Sequence, residues 1–184
     1  MIIALTGTPG TGKTSAGKEL RKRGYAVTDL SELISSEGLK EEYDAERDTY
    51  EVDTDRLSEY IADSDGITFI EGHLAHLLPC DMIIVMRCRP DVLAERLRGR
   101  CYGGCKIREN VQAEILDVIL CESVSSGIPV YEVDSTSLTV EESADLVEKI
   151  AEGGTEGFEP GNTDWTKEAE KWFWTDRETK PNSH

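Results

Sequence analysis

The chain predicts an α/β fold in which a five-stranded parallel sheet lies between helices. Two observations carry this. Short apolar runs alternate with helix-patterned segments along residues 2–152, the sequence signature of a sheet covered on both faces. The first of these runs ends in a glycine-rich turn that opens directly into a helix, Gly7-Thr8-Pro9-Gly10-Thr11-Gly12-Lys13-Thr14.

That turn fits G-x-x-x-x-G-K-[ST], the phosphate-binding loop. Glycines let the backbone curl until successive N–H groups face an anion, and the helix behind presents its positive end to the same charge. Lys13 is placed to reach β- and γ-phosphates, and the Thr14 hydroxyl to hold Mg²⁺. The strand before the loop is 2–6, and helix one runs from Lys13 to Arg23 with Gly24 as its stop. Residues 25–29 form strand two.

Residues 30–52 are mostly polar. Leu30, Leu33, Ile34 and Leu39 make a weak helical stripe, and Glu41 to Tyr50 reads as an acidic loop. A helix follows from Thr54 to Ala62, capped by Asp53 or Thr54. Gly66 to His73 is a buried parallel strand ending in Glu71-Gly72-His73. Ligands gather at the carboxyl ends of such strands, so Glu71 is a candidate for Mg²⁺ or for orienting the nucleophile. Met82 to Arg87 is the next strand. Pro90 opens a helix to about Arg100, Tyr102-Gly103-Gly104 breaks it, and Glu109 to Ser125 reads as one long helix. Val130 to Asp134 is the fifth strand, and Val140 to Glu152 the last helix of the domain, with Ser135 or Thr139 before it. Beyond Gly153 the character changes. Trp165, Trp172, Phe173 and Trp174 cluster among charges, and Thr166–Trp174 is patterned as a short amphipathic helix that either docks on the core or meets a partner.

Composition narrows the function. There are 37 acidic and 20 basic residues, a net charge of −17, which argues against a broad nucleic-acid surface. No apolar run has the length of a membrane span, and the N-terminus already forms a strand, so a cytoplasmic protein without a signal peptide is expected. Residues 30–66 hold three basic and thirteen acidic side chains, whereas residues 87–108 hold seven basic and two acidic. A basic island in an acidic chain needs an anionic target, and nucleotide phosphate is the obvious one. The five cysteines, Cys80, Cys88, Cys101, Cys105 and Cys121, include one close pair, Cys101 and Cys105. With no second cluster at metal spacing they are read as reduced thiols.

A signalling GTPase would need an Asn-Lys-x-Asp segment, and none is present. A small phosphotransferase fits better. Such enzymes exclude water by closing a lid that carries arginines, and residues 96–108, interrupted by Gly103-Gly104, have that composition.

The chain resembles the adenylate kinase isoenzyme 6 family. The matching pieces are the loop Thr6 to Thr14, the strand end Glu71-Gly72-His73, the stretch Val92 to Tyr102, and Lys106-Ile107-Arg108-Glu109-Asn110-Val111-Gln112-Ala113-Glu114-Ile115. The resemblance covers about residues 1–150, and Pro160 to Trp165 also resembles archaeal members. It implies a nucleoside-monophosphate-kinase-like three-layer fold over 1–152, with a short monophosphate-binding flap at about 30–52, a short lid at about 99–109, and a tail at 153–184. It implies ATP + AMP ⇌ 2 ADP with Mg²⁺, and a slow ATPase activity. Gly10, Thr11, Gly12, Lys13, Thr14 and Ser15 would bind the ATP phosphates, Arg100 would contact ATP from the lid, and Arg96 would lie on the adenine side. Lys13, Arg100, Glu71 and His73 would be catalytic, and Thr14 and Glu71 would hold the metal. The alternative role implied is ATP-dependent assembly of the small ribosomal subunit, with a basic ribosomal protein as partner for the acidic surface. Two departures stand out. Glu71 replaces the Asp of many members. Leu74-Ala75-His76 also lacks the arginine with which ordinary adenylate kinases grip the AMP phosphate, leaving Arg47, Arg56, Arg87 or His73 for that task.

Overall fold

The computed structural model describes residues 1–44, 49–61 and 65–173. Its centre is a sheet of five parallel strands in the order β2-β5-β1-β6-β7. They are β1 (Ile2–Thr6), β2 (Ala26–Asp29), β5 (Thr68–Glu71), β6 (Met82–Arg87) and β7 (Val130–Asp134). The predicted sheet is therefore present, with the expected strands.

Side chains alternate across it. Ile3, Leu5, Phe69, Ile84 and Met86 face α1 (Lys13–Lys22) and α7 (Val140–Ala151), where Ala16, Leu20, Val147 and Ile150 meet them. Ala4, Ile70, Ile83 and Val85 face the other way. There they pack on Leu30 and Ile34 of α2 (Leu30–Ser36), Leu57 of α3 (Thr54–Ser58) and Leu120 of α6 (Val118–Ser125). These are three layers, as the alternation of elements requires. Thr139 caps α7 through a full capping box with Glu142, which settles the choice left open between Ser135 and Thr139.

Three details differ from expectation. The acidic stretch is not simply a loop: β3 (Lys40–Asp44) and β4 (Thr49–Val52) pair antiparallel. Tyr43, Thr49, Tyr50 and Val52 supply strand propensity that the acidic composition hides. Residues 45–48, Arg47 among them, lie outside the described residues, as does Ala62. The helix after the flap ends at Ser58, with Asp53 as its cap. The long helix is two: α5 (Gly104–Ile115) starts inside the expected lid, and α6 follows a break at Leu116 and Asp117, where Asp117 adopts φ +54°.

A third apolar cluster joins α4 (Pro90–Arg98) to α5 through Leu93, Leu97, Ile107 and Val111. The C-terminal segment lies on it. Trp165 and Trp172 pack there, with Phe173 of the short α8 (Ala169–Phe173); Trp174 lies outside the described residues. Among the described residues no helix is long and apolar enough to cross a membrane.

The cysteines are free thiols. Cys101, Cys105 and Cys121 are exposed, while Cys88 is buried and burial pushes its thiol up to about 11. At pH 8 a thiol-specific reagent is expected to modify the three exposed cysteines of the folded protein first, and Cys88 only after denaturant is added. Mass spectrometry of the adducts checks this; early labelling of Cys88 would contradict it.

Candidate active site

The loop between β1 and α1 is shaped by contacts that demand glycine at two places. Gly7 has φ +138°, and a Cβ there would meet the Met86 carbonyl oxygen at 2.3 Å. Gly10 has φ +96°, and a Cβ there would press on Leu93 at 2.8 Å. Only a residue without a side chain lets the loop lie this close to β6 and α4.

Within the loop the Thr8 carbonyl is the organising acceptor. The Thr11 hydroxyl donates to it at 2.9 Å and the Lys13 ammonium at 3.2 Å. Thr11 is wholly buried, so its side chain shapes the loop and lines neither cavity. Lys13 is 7% exposed. Burial, joined by the nearby Arg100 and opposed by Glu71, brings its pKa down to about 8. The site holds a cation at some cost, as a site built to receive an anion does.

Glu71 ends β5 beside the loop. Thr14 Oγ1 donates to Glu71 Oε1 at 3.0 Å. Glu71 is nearly inaccessible, and burial raises its pKa against the pull of Lys13. The extra methylene of glutamate does not prevent the carboxylate from reaching Thr14. A hydroxyl and a carboxylate held together are hard oxygen donors, and they fit Mg²⁺ shared with phosphate.

Two cavities flank the loop. The larger, about 460 Å³, gathers Gly10, Lys13, Thr14, Glu71, His73 and Arg100, residues drawn from three separate stretches of sequence. The smaller, about 200 Å³, has Gly10, Gly12, Ser15, Arg96 and Arg100 in its wall. Arg100 lines both. The His73 pKa is depressed to about 4 by desolvation and by Lys13, His76 and Lys106, which favours the neutral imidazole near pH 7. Arg96 donates to the Ser135 carbonyl at 2.9 Å and to its hydroxyl at 3.2 Å. It thereby holds the turn after β7 against the loop, where the Ser135 hydroxyl donates to Thr11 O at 2.6 Å.

Arg87 has to be withdrawn as a phosphate-gripping candidate. It is 1% exposed and donates to Glu114 at 2.8 Å, to Glu132 at 2.5 Å and to Asp117. Burial opposes its charge, and the three carboxylates more than restore it. Arg56 is exposed on α3 and lines neither cavity. In their place the larger cavity has Lys106, in the first turn of α5, with its ammonium 5.7 Å from the Tyr102 ring centroid. Asn110 lies one turn further along α5 and donates to the Lys106 carbonyl at 2.7 Å. The signal for these two was their i, i+4 spacing on one helix face, hidden while α5 was placed five residues too late. Among the described residues no group of three or more His, Cys, Asp and Glu could hold a metal by itself.

Residues 3–117 match the profile of the AAA domain. A protein of Archaeoglobus fulgidus named "Putative adenylate kinase" is 46% identical over 174 residues, covering 92% of this chain and 94% of that protein. A protein of Methanocaldococcus jannaschii with the same name is 43% identical over 94% of this chain and 96% of its own. Among solved structures, deoxyadenosine kinase from M. mycoides with bound dATP is similar at a TM-score of 0.54 and 15% identity, over 83% of this chain and all of that one. That likeness concerns the fold.

Proposed function

This chain belongs to the phosphate-loop nucleotide kinase family of those archaeal relatives, and we propose that within it the protein transfers the γ-phosphoryl group of Mg-ATP to AMP, reversibly, giving two ADP. The observation that carries the reading is the pair of cavities on either side of the loop, with Arg100 in the wall of both. One side accommodates the donor's nucleoside and the other the acceptor.

In this reading Gly10, Gly12, Thr14 and Ser15 cradle the donor phosphates, and Lys13 carries positive charge toward the β- and γ-oxygens. Arg100 neutralises charge that develops on the phosphoryl group in transit, because among the described arginines it alone reaches both sides. Lys106 and Asn110 face the acceptor. Neutral His73, beside Glu71, serves as a hydrogen-bonding group at the acceptor end. Mg²⁺ arriving with ATP would be held by Thr14 and Glu71 and would offset phosphate charge. The turn at 99–103 and the first half of α5 act as the lid, and the β3–β4 hairpin with α2 as the flap.

The test is ADP formation from Mg-ATP alone and with AMP, CMP, UMP or GMP. A large rise with AMP and little with the others is expected. A slow rate indifferent to every monophosphate would overturn the proposal in favour of ATP hydrolysis as the main activity.

A further inference from the structure

Glu114 lines neither of the two cavities, yet four groups converge on its carboxylate. On one oxygen it accepts from Thr8 Oγ1 at 2.6 Å. On the other it accepts from Arg87 Nε at 2.8 Å, the Cys88 amide at 3.1 Å and the Trp165 indole N–H at 3.3 Å. It is 3% exposed. Thr8 is the loop residue whose carbonyl holds the Lys13 ammonium. Trp165 belongs to the C-terminal segment. A single buried carboxylate therefore stands between the tail and the loop.

The tail is tied to the same ion cluster at a second point. Glu132, whose Oε2 accepts from Arg87 at 2.5 Å, accepts from the Gly161 amide through Oε1. Further along, Gln112 of α5 donates to the Trp172 carbonyl at 3.0 Å. Both carboxylates of the cluster that are almost wholly buried thus carry a bond from the tail as well as one from Arg87.

We propose that Glu114 is a positioning residue for the phosphate loop and that the docked tail, through Trp165, sets where it stands. Affinity for ATP then depends on whether the tail is seated. The inference rests on the reading of the loop as an ATP site. Charge-assisted hydrogen bonds in a dry site are strong and mutually dependent, so Thr8 and Trp165, which share the carboxylate through opposite oxygens, are energetically coupled through it.

A double-mutant cycle on Mg-ATP affinity, measured by calorimetry on the full chain, tests this. Trp165→Phe keeps an aromatic ring in place but removes the N–H. In the wild-type background it is expected to weaken ATP binding about fivefold, within the range for residues sharing one network. In a Thr8→Val background, where the link to the loop is cut, and again in Glu114→Gln, where the charge that strengthens both bonds is gone, the same change should have less than half that effect. A residue that only stabilises the fold would add its effect equally in every background. Equal weakening in all backgrounds, or none in the wild type, overturns the proposal. If Glu114→Gln does not fold, the Thr8 cycle decides alone, since that change leaves the charges around Arg87 intact. Wild-type protein that fails to bind Mg-ATP would remove the underlying reading as well, an outcome distinct from normal binding with an additive cycle.

Discussion

Replacing Lys13 by methionine is expected to cut ADP formation about a thousandfold, the scale on which removal of one charged transition-state contact operates, while leaving the folded protein no less stable at pH 7. Methionine keeps the length and apolar stem of the side chain, so packing is held nearly constant. The stability half follows from the pKa. The folded value of about 8 lies below the ordinary lysine value of 10.5. Between these two pH values the unfolded chain binds the proton that the folded chain has released, so folding stability rises with pH across that window. Below pH 8 the burden of the buried ammonium is present in full, on the order of 3 kcal/mol from the size of the shift. The variant lacks this burden. Its melting temperature at pH 7 should equal or exceed the wild type's, and the gap should close as pH rises through 8 toward 10.5. Thermal melts at pH 7 and 9.5, read beside the kinetic assay, check both halves. A variant that loses activity because it melts earlier would contradict the assignment of Lys13 as a functional charge held at the expense of stability.

The parts of this fold that were legible in the sequence are those where local pattern and tertiary role agree. β1 and β6 are nearly continuous apolar runs because both faces of the sheet are covered, and the loop announces itself because its glycines are required by close approach to β6 and α4. The break between α5 and α6 was hidden for the opposite reason. Val111, Ile115, Val118 and Ile119 continue a helical period straight across it, and all but the exposed Val118 are drawn inward by packing. What ends α5 is Asp117, which leaves the helical conformation where its carboxylate takes Arg87. That partner lies 30 residues away in sequence, beyond any local window. Glu114 was obscured likewise. A glutamate on an amphipathic helix reads as solvated, and nothing near it reveals that Thr8, 106 residues earlier, donates to it.

Arg87→Met should be the most damaging substitution for stability. The wild-type guanidinium is shared among Glu114, Glu132 and Asp117, with side-chain exposures of 3%, 1% and 35%. Taking the cation away leaves two carboxylates in the interior with no opposing charge. Breaking one side of a buried ion pair in this manner costs about 3–5 kcal/mol, which in a chain of this size lowers the melting temperature by roughly 10 °C. The pH dependence distinguishes this cause from simple loss of packing. Without Arg87 the two buried acids carry negative charge that nothing opposes in a dry site. The variant should therefore be least stable near pH 7 and regain part of the difference as pH falls toward 5 and the acids take up protons. A variant that lost only packing would show the same deficit at both pH values. The prediction also separates two readings of one residue. An arginine that gripped the acceptor phosphate would, on removal, raise the KM for AMP at unchanged melting temperature. An arginine that holds α5, β7 and the tail around one charge shows its loss in the melt, with no effect confined to the acceptor. The saturated geometry of Arg87 favours the second outcome, and measuring AMP KM and melting temperature on the same preparation decides between them.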